Sequence, residues 1–139
     1  MTEAKLTATE ISALFEREFP SWREGPLMVE SAGFRYGVVR MRTDARNLRP
    51  GGTVSGPTMF MLADTALYVA VLASVGPKLL SVTTSLTINF LRKPDVGDLI
   101  AECKLVKLGK RLAVGDVMIR PDGDEEAVAH AVGTYSIPA

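Results

Sequence analysis

One carboxylate lies where apolar residues are the rule. Asp64 sits inside the stretch Met59-Phe60-Met61-Leu62-Ala63-Asp64-Thr65-Ala66-Leu67. An ionised carboxylate taken out of water must be paired, hydrogen-bonded or turned toward a cavity. Two readings follow. Asp64 accepts hydrogen bonds from neighbouring backbone, or it does chemistry, because unusual carboxylates gather at functional sites. Gly56 precedes it and opens the same apolar stretch. Backbone N–H groups at a helix start point outward, and the helix dipole favours negative charge there. A glycine at that point lets a ligand come close to the backbone. Such an N–H suits a carbonyl oxygen and the oxyanion that develops on attack; a plain glycine at a helix start reads the same way. Tyr68 falls one turn after Asp64 and so on its face. It is placed either to donate to that carboxylate or to serve the structure alone.

Other reactive groups are sparse. Lys104, Lys107, Lys110 and Arg111 cluster about a turn, with Arg92 and Lys93 at another strand end. They read as a solvated sheet edge that discourages aggregation, or as cations for phosphate groups. Ser55 has no elbow motif around it, and the single histidine, His130, lies in the final strand. A serine triad needs a base within hydrogen-bond reach, so none is expected. No His/Cys set has metal-ligand spacing and no glycine-rich loop matches a nucleotide fingerprint. Neither a metal nor another cofactor is expected. Sixteen basic and sixteen acidic residues cancel, which argues against a nucleic-acid partner.

These residues need elements to position them. The length of 139 residues suits one domain, with residues 1–26 as an N-terminal helix and loop. Ile11, Leu14 and Phe15 give residues 7–18 a helical period. Leu27 to Thr43 reads as two strands or one bent hairpin about Gly33. Asp44 to Val54 is a loop with a Pro50-Gly51-Gly52 turn. A buried helix runs from Gly56 to Val75, with Pro57 in its first turn and Gly76-Pro77 closing it. Four strand-like runs follow: Ser81–Leu91, Asp98–Leu108, Arg111–Arg120 and Ala127–Ile137. The breaks at Pro94–Gly97, Gly109-Lys110 and Pro121–Asp124 read as hairpin linkers, so the four runs form an antiparallel meander. The longest apolar stretch, Met59 to Val75, is short for a membrane span and carries Asp64, so no membrane is expected. The start Met1-Thr2-Glu3-Ala4-Lys5 has no signal-peptide pattern. The lone Cys103 fits a reducing compartment. A cytoplasmic location is the expectation.

The stretch Ser55-Gly56-Pro57-Thr58-Met59-Phe60-Met61-Leu62-Ala63-Asp64-Thr65-Ala66 resembles the signature of PaaI-type hotdog thioesterases: His-Gly-Gly, a short apolar run, then Leu-x-Asp-x-Ala. Thr87–Arg92 with Pro94, Leu108-Gly109-Lys110-Arg111 and Val128–Tyr135 add to the likeness, which covers about residues 30–137. It implies an α+β hotdog fold: an antiparallel sheet of five to six strands wrapped around a long central helix. It implies hydrolysis of an acyl-CoA substrate to free acid and coenzyme A. Asp64 would attack the thioester or activate water, and Gly56 N–H would polarise the carbonyl. In this family the two come from different subunits, so a homodimer, and a homotetramer of two dimers, is implied. Asn47 matches the asparagine that helps place the nucleophile, although Arg49-Pro50-Gly51-Gly52 lengthens its spacing. Thr58, Tyr68, Lys110, Arg111 and Arg92 are the candidate substrate-binding residues.

One position departs from the pattern. The family histidine falls at Ser55 and the second glycine at Pro57. Serine donates a hydrogen bond but does not carry a proton at neutral pH as imidazole does. Two rival readings therefore stand beside hydrolysis. One is a non-catalytic acyl-CoA-binding protein. The other is an acyl-CoA hydro-lyase, which would want a histidine near Asp64.

Overall fold

A computed structural model describes residues 3–139; Met1 and Thr2 lie outside it. The chain runs α1 (Ala8–Glu18), β1 (Leu27–Gly33), β2 (Tyr36–Met41), a short 3-10 turn (Ala45–Asn47), α2 (Gly56–Val75), β3 (Val82–Phe90), β4 (Leu99–Leu108), β5 (Leu112–Pro121) and β6 (Ala129–Ser136). Six antiparallel strands form one sheet in the order β1-β2-β4-β5-β6-β3.

Local chemistry explains the helices. Thr7 caps α1, its hydroxyl accepting from Glu10 N–H while the Glu10 carboxylate accepts from Thr7 N–H. That reciprocal box satisfies two otherwise orphaned donors. Ile11, Leu14 and Phe15 turn the apolar face of α1 inward. Ser55 caps α2, Pro57 occupies its first turn and Gly76, at φ 96°, ends it. A φ in that region favours glycine.

The α2 helix contains an 18-residue window of mean hydropathy 1.7, long and apolar enough to cross a membrane. Most of that window is instead buried in the chain's own core, from Met59 through Ser74. A helix apolar nearly all round belongs in such an interior. Leu67 shows how closely it seats. Its two methyl groups lie over Gly115 of β5 and Gly133 of β6. A Cβ on Gly133 would come within 2.5 Å of Leu67 Cδ2 and 2.7 Å of Leu86 Cδ1.

Strand pairing corrects the expected meander. β4, β5 and β6 do follow one another, but β3 pairs with β6 at the far edge and not with β4. Pro94–Gly97 is therefore a crossover, not a hairpin turn. It passes beneath the start of α2, where Val54 N–H donates to Pro94 O at 3.0 Å. The Thr43 hydroxyl clamps both sides of Gly97, donating to its carbonyl at 2.6 Å and accepting from its N–H at 2.9 Å. The earlier hairpin turns at Phe34-Arg35, one step beyond Gly33.

On the outer face of the sheet, the Arg40 guanidinium donates to Glu30, Asp98 and Asp122. This joins β1, β2 and the turns at the ends of β4 and β5. His130 pairs with Asp116 on the same outer face.

Candidate active site

Asp64 projects from α2 at half burial. Its Oδ1 accepts two hydrogen bonds, from Thr83 Oγ1 at 2.6 Å and from Tyr135 Oη at 3.1 Å. Both donors are side chains from strands, not the neighbouring backbone. Thr83 begins edge strand β3 and Tyr135 ends its partner β6; the register pairs these two residues directly. Burial holds the Tyr135 phenol well above its usual range, with a smaller opposing pull from Thr83 and a raising effect of the Asp64 charge. It therefore stays protonated and acts as a donor. Hydrogen bonds to the charged form of a carboxylate favour that form.

Tyr68 does not reach Asp64, contrary to its helical spacing. Its ring is stacked between Phe15, at 5.5 Å, and Tyr135, at 5.8 Å. That stacking carries its hydroxyl to Leu79 O, to which it donates at 2.7 Å. Tyr135 takes the place beside the carboxylate instead.

Gly56 is the first residue of α2. The first four N–H groups of a helix have no partner within it. Pro57 has no N–H, Thr58 N–H meets Ser55 Oγ at 3.4 Å and Met59 N–H meets Ser55 O at 3.3 Å. The N–H of Gly56 is the one left over at this end. The Phe90 ring covers the Gly56 Cα, and a Cβ there would lie 3.1 Å from Phe90 Cζ.

Ser55 and Thr58 are spent on each other and on the helix start. Their hydroxyls lie 2.8 Å apart. Asn47 lies beside Ser55 through the backbone, its carbonyl accepting from Ser55 N–H at 2.8 Å. Its side-chain oxygen turns away to Asp44 N–H at 2.9 Å. Asn47 thus shapes the entry to α2.

Arg92 separates from the other candidate cations. Its guanidinium donates to Asp124 at 2.7 Å and Glu126 O at 2.6 Å, stapling the β5–β6 turn. Its acceptors lie over thirty residues later, so its position at a strand end gave no warning. Lys110 and Arg111 do come together with others. They line a groove of about 770 Å³ at the C-terminal end of α2, with Lys5, Arg35 and Lys78. No Asp or Glu side chain is among its lining residues.

Arg35 went unnoticed in the sequence. Its φ of 60° is rare for a residue with a side chain. The conformation is held from both sides: Arg35 N–H donates to the buried Ser74 Oγ at 2.8 Å, and Leu105 N–H donates to Arg35 O at 2.9 Å. Thr83 and Tyr135 were missed for another reason. Their contact with Asp64 is made by sheet pairing, and no local spacing encodes it.

The single thiol and the single imidazole of the chain do not compete with Asp64. Burial pushes the Cys103 thiol up to about 12, so it stays protonated. His130 faces away from Asp64, on the outer side of the sheet, between the inward Ala129 and Ala131. The hydro-lyase reading loses its histidine on that geometry.

Comparison with known proteins places the fold in a family. The model of the thioesterase superfamily matches residues 51–128, which include Gly56 and Asp64. A Pseudomonas aeruginosa protein provisionally named an esterase is 32% identical over 115 residues, covering 82% of this chain and 84% of that protein. The crystal structure of a protein from Silicibacter sp. TM1040, provisionally named a thioesterase, superposes with a TM-score of 0.88 at 42% identity. It covers 99% of this chain and 96% of that one. The Escherichia coli PaaI protein of the phenylacetic acid degradation operon gives 0.82 at 26% identity, covering 94% and 92%. On the family match and these structural likenesses, the chain belongs to the thioesterase superfamily as a hotdog protein of PaaI type.

Proposed function

We propose that this protein hydrolyses the thioester of an acyl-CoA, with Asp64 as the reacting carboxylate and the N–H of a partner's α2 start as oxyanion donor. Family membership supports thioester hydrolysis in general. One observation carries the finer reading: a single carboxylate on an otherwise apolar buried helix, anchored through one oxygen only.

The chemistry balances without a cofactor. In one route Asp64 removes a proton from water as the oxygen adds to the thioester carbonyl. The tetrahedral intermediate then expels the thiolate, which takes up the proton and leaves as free thiol. In the other route the carboxylate itself attacks and the C–S bond breaks, leaving a mixed anhydride and a thiolate; water then opens the anhydride, restores the carboxylate and supplies the proton that the thiolate takes up. Both end in acid and coenzyme A.

Two copies are needed for such a site. Gly56 and Asp64 lie on the same helix, separated by about 12 Å of axial rise at 1.5 Å per residue. One carbonyl cannot bond the first and touch the second. A second subunit that brings its own α2 start to Asp64 resolves this. The sheet edge supports such pairing. β3 is an open edge strand, with Val82, Phe90 and neighbouring Leu91 exposed, and Phe60 and Met61 exposed on α2 beside it. Unpaired strand edges and contiguous apolar patches mark interaction surfaces.

The cationic groove supports coenzyme A as the thiol carrier. Lys110 and Arg111 would meet its phosphates through charge-assisted hydrogen bonds, joined by Lys5, Arg35 and Lys78.

Subunit complementation tests the shared site. Asp64→Asn removes the carboxylate, and the branched side chain of Gly56→Val closes the approach to the N–H that forms the other half. In a heterodimer of the two, one of the two sites regains both halves, and random mixing makes half the dimers mixed. Co-refolded variants should then recover about a quarter of wild-type activity. No recovery, in mixtures shown to exchange subunits, would place both groups in one chain and refute the interface site.

A further inference from the structure

Asp64 presents its two oxygens to different surroundings. Oδ1 is held by Thr83 at 2.6 Å and by Tyr135 at 3.1 Å. Oδ2 has no protein donor among the described residues. Of the two donors, Tyr135 is the one with a fixed address. Its side chain is buried, only 3% exposed. Its ring stacks on Tyr68 with 21° between the planes, and Tyr68 stacks on Phe15 with 10°. The Tyr68 hydroxyl is tied down by Leu79 O. Three aromatic rings from β6, α2 and α1 thus lock the direction in which the Tyr135 hydroxyl points, and it points at the carboxylate.

We infer that Tyr135 is a positioning residue for the reaction: with Thr83 it pins Oδ1 of Asp64, so that Oδ2 is the oxygen presented to water or thioester. The inference rests on the reading of Asp64 as the reacting carboxylate. It adds which oxygen reacts, what aims it, and why α1 matters to a site it does not enter. A carboxylate free to rotate would spread its reactive lone pairs over many directions. Pinning one oxygen keeps the other in line for attack, which is the kind of orientation that lowers a barrier.

The groups facing Asp64 are few. Tyr135 comes from β6, Thr83 from β3, and Tyr68 stands behind Tyr135 on α2 itself. Burial raises both phenols above their usual range. Neither titrates where a carboxylate does, so both stay protonated as donors.

Tyr135→Phe is the direct test, because it removes the hydroxyl and keeps the stack. The expected result is a fall in kcat of about tenfold, the order of one hydrogen bond to a charged group. KM should stay within about twofold, since an interaction lost only from the transition state spares it. Thermal stability should change little, as the ring stays in place. In an Asp64→Asn background the same substitution should cost nothing further. An unchanged kcat would overturn the inference, as would a loss carried by KM alone or an equal further loss in the Asp64→Asn background. Full activity in Asp64→Asn alone would instead sink the underlying reading of Asp64.

Discussion

Asp64→Asn should lower turnover by ~100-fold or more and leave the fold intact. A loss of that size corresponds to at least about 2.7 kcal/mol of transition-state stabilisation, as expected for a main catalytic group. Asparagine keeps the size of the side chain and an oxygen able to accept from Thr83 and Tyr135. It loses the charge and the ability to take a proton or to attack. Activity should therefore collapse while the melting temperature barely moves. Thiol release and thermal unfolding, measured on the same preparations, check both halves. Equal activity in the two proteins would remove Asp64 from the mechanism. A matching loss of stability would make it a structural carboxylate.

The largest stability effect should come from Leu67, which no catalytic argument touches. It is fully buried, and its methyl groups occupy the hollows over Gly115 and Gly133. Leu67→Ala should cost about 2–5 kcal/mol, the lost transfer energy plus the cavity left behind. Gly133→Ala works from the opposite side. Its Cβ would come within 2.5 Å of Leu67 Cδ2, 2.7 Å of Leu86 Cδ1 and 3.3 Å of Ser85 O. Overpacking of that kind costs about 1–3 kcal/mol. The two changes share one space, so the double variant should be more stable than the sum of the singles implies. Denaturant unfolding of all three variants measures the coupling. Simple additivity would mean that Leu67 does not fill the glycine hollow.

Much of this could be read from the chain, and the misses share a cause. The bounds of α2 follow from Ser55-Gly56-Pro57 and Gly76-Pro77, because caps and helix stops are local chemistry. The lone carboxylate on an apolar helix was visible for the same reason. Local signals end where pairing begins. Pro94–Gly97 says that a strand stops, but not that β3 pairs with β6 at the sheet's far edge. Tyr68 has the spacing to share a face with Asp64, yet stacking against Phe15 and Tyr135 turns its hydroxyl to Leu79. Tyr135 stands 71 residues from the carboxylate it contacts. Arg92 looked like a free cation until the β5–β6 turn brought Asp124 and Glu126 to it.

Ser55 illustrates a related point. In place of the family histidine it caps the helix and shares its hydroxyl with Thr58. Under the proposed mechanism, orientation of the thioester would then fall to the Gly56 N–H and to the grip on the carrier, with no imidazole beside them.

Thiol release by the wild-type protein, from short, medium and aromatic acyl-CoAs beside the matching acyl-pantetheines, tests the proposed activity most directly. The expected result is hydrolysis of at least one acyl-CoA with equal amounts of thiol and free acid. The matching acyl-pantetheine should show a higher KM, because it lacks the phosphates that Lys110 and Arg111 would meet. Tight binding of acyl-CoAs without release of thiol across the whole panel would contradict hydrolysis and leave a hotdog protein that only carries its ligand.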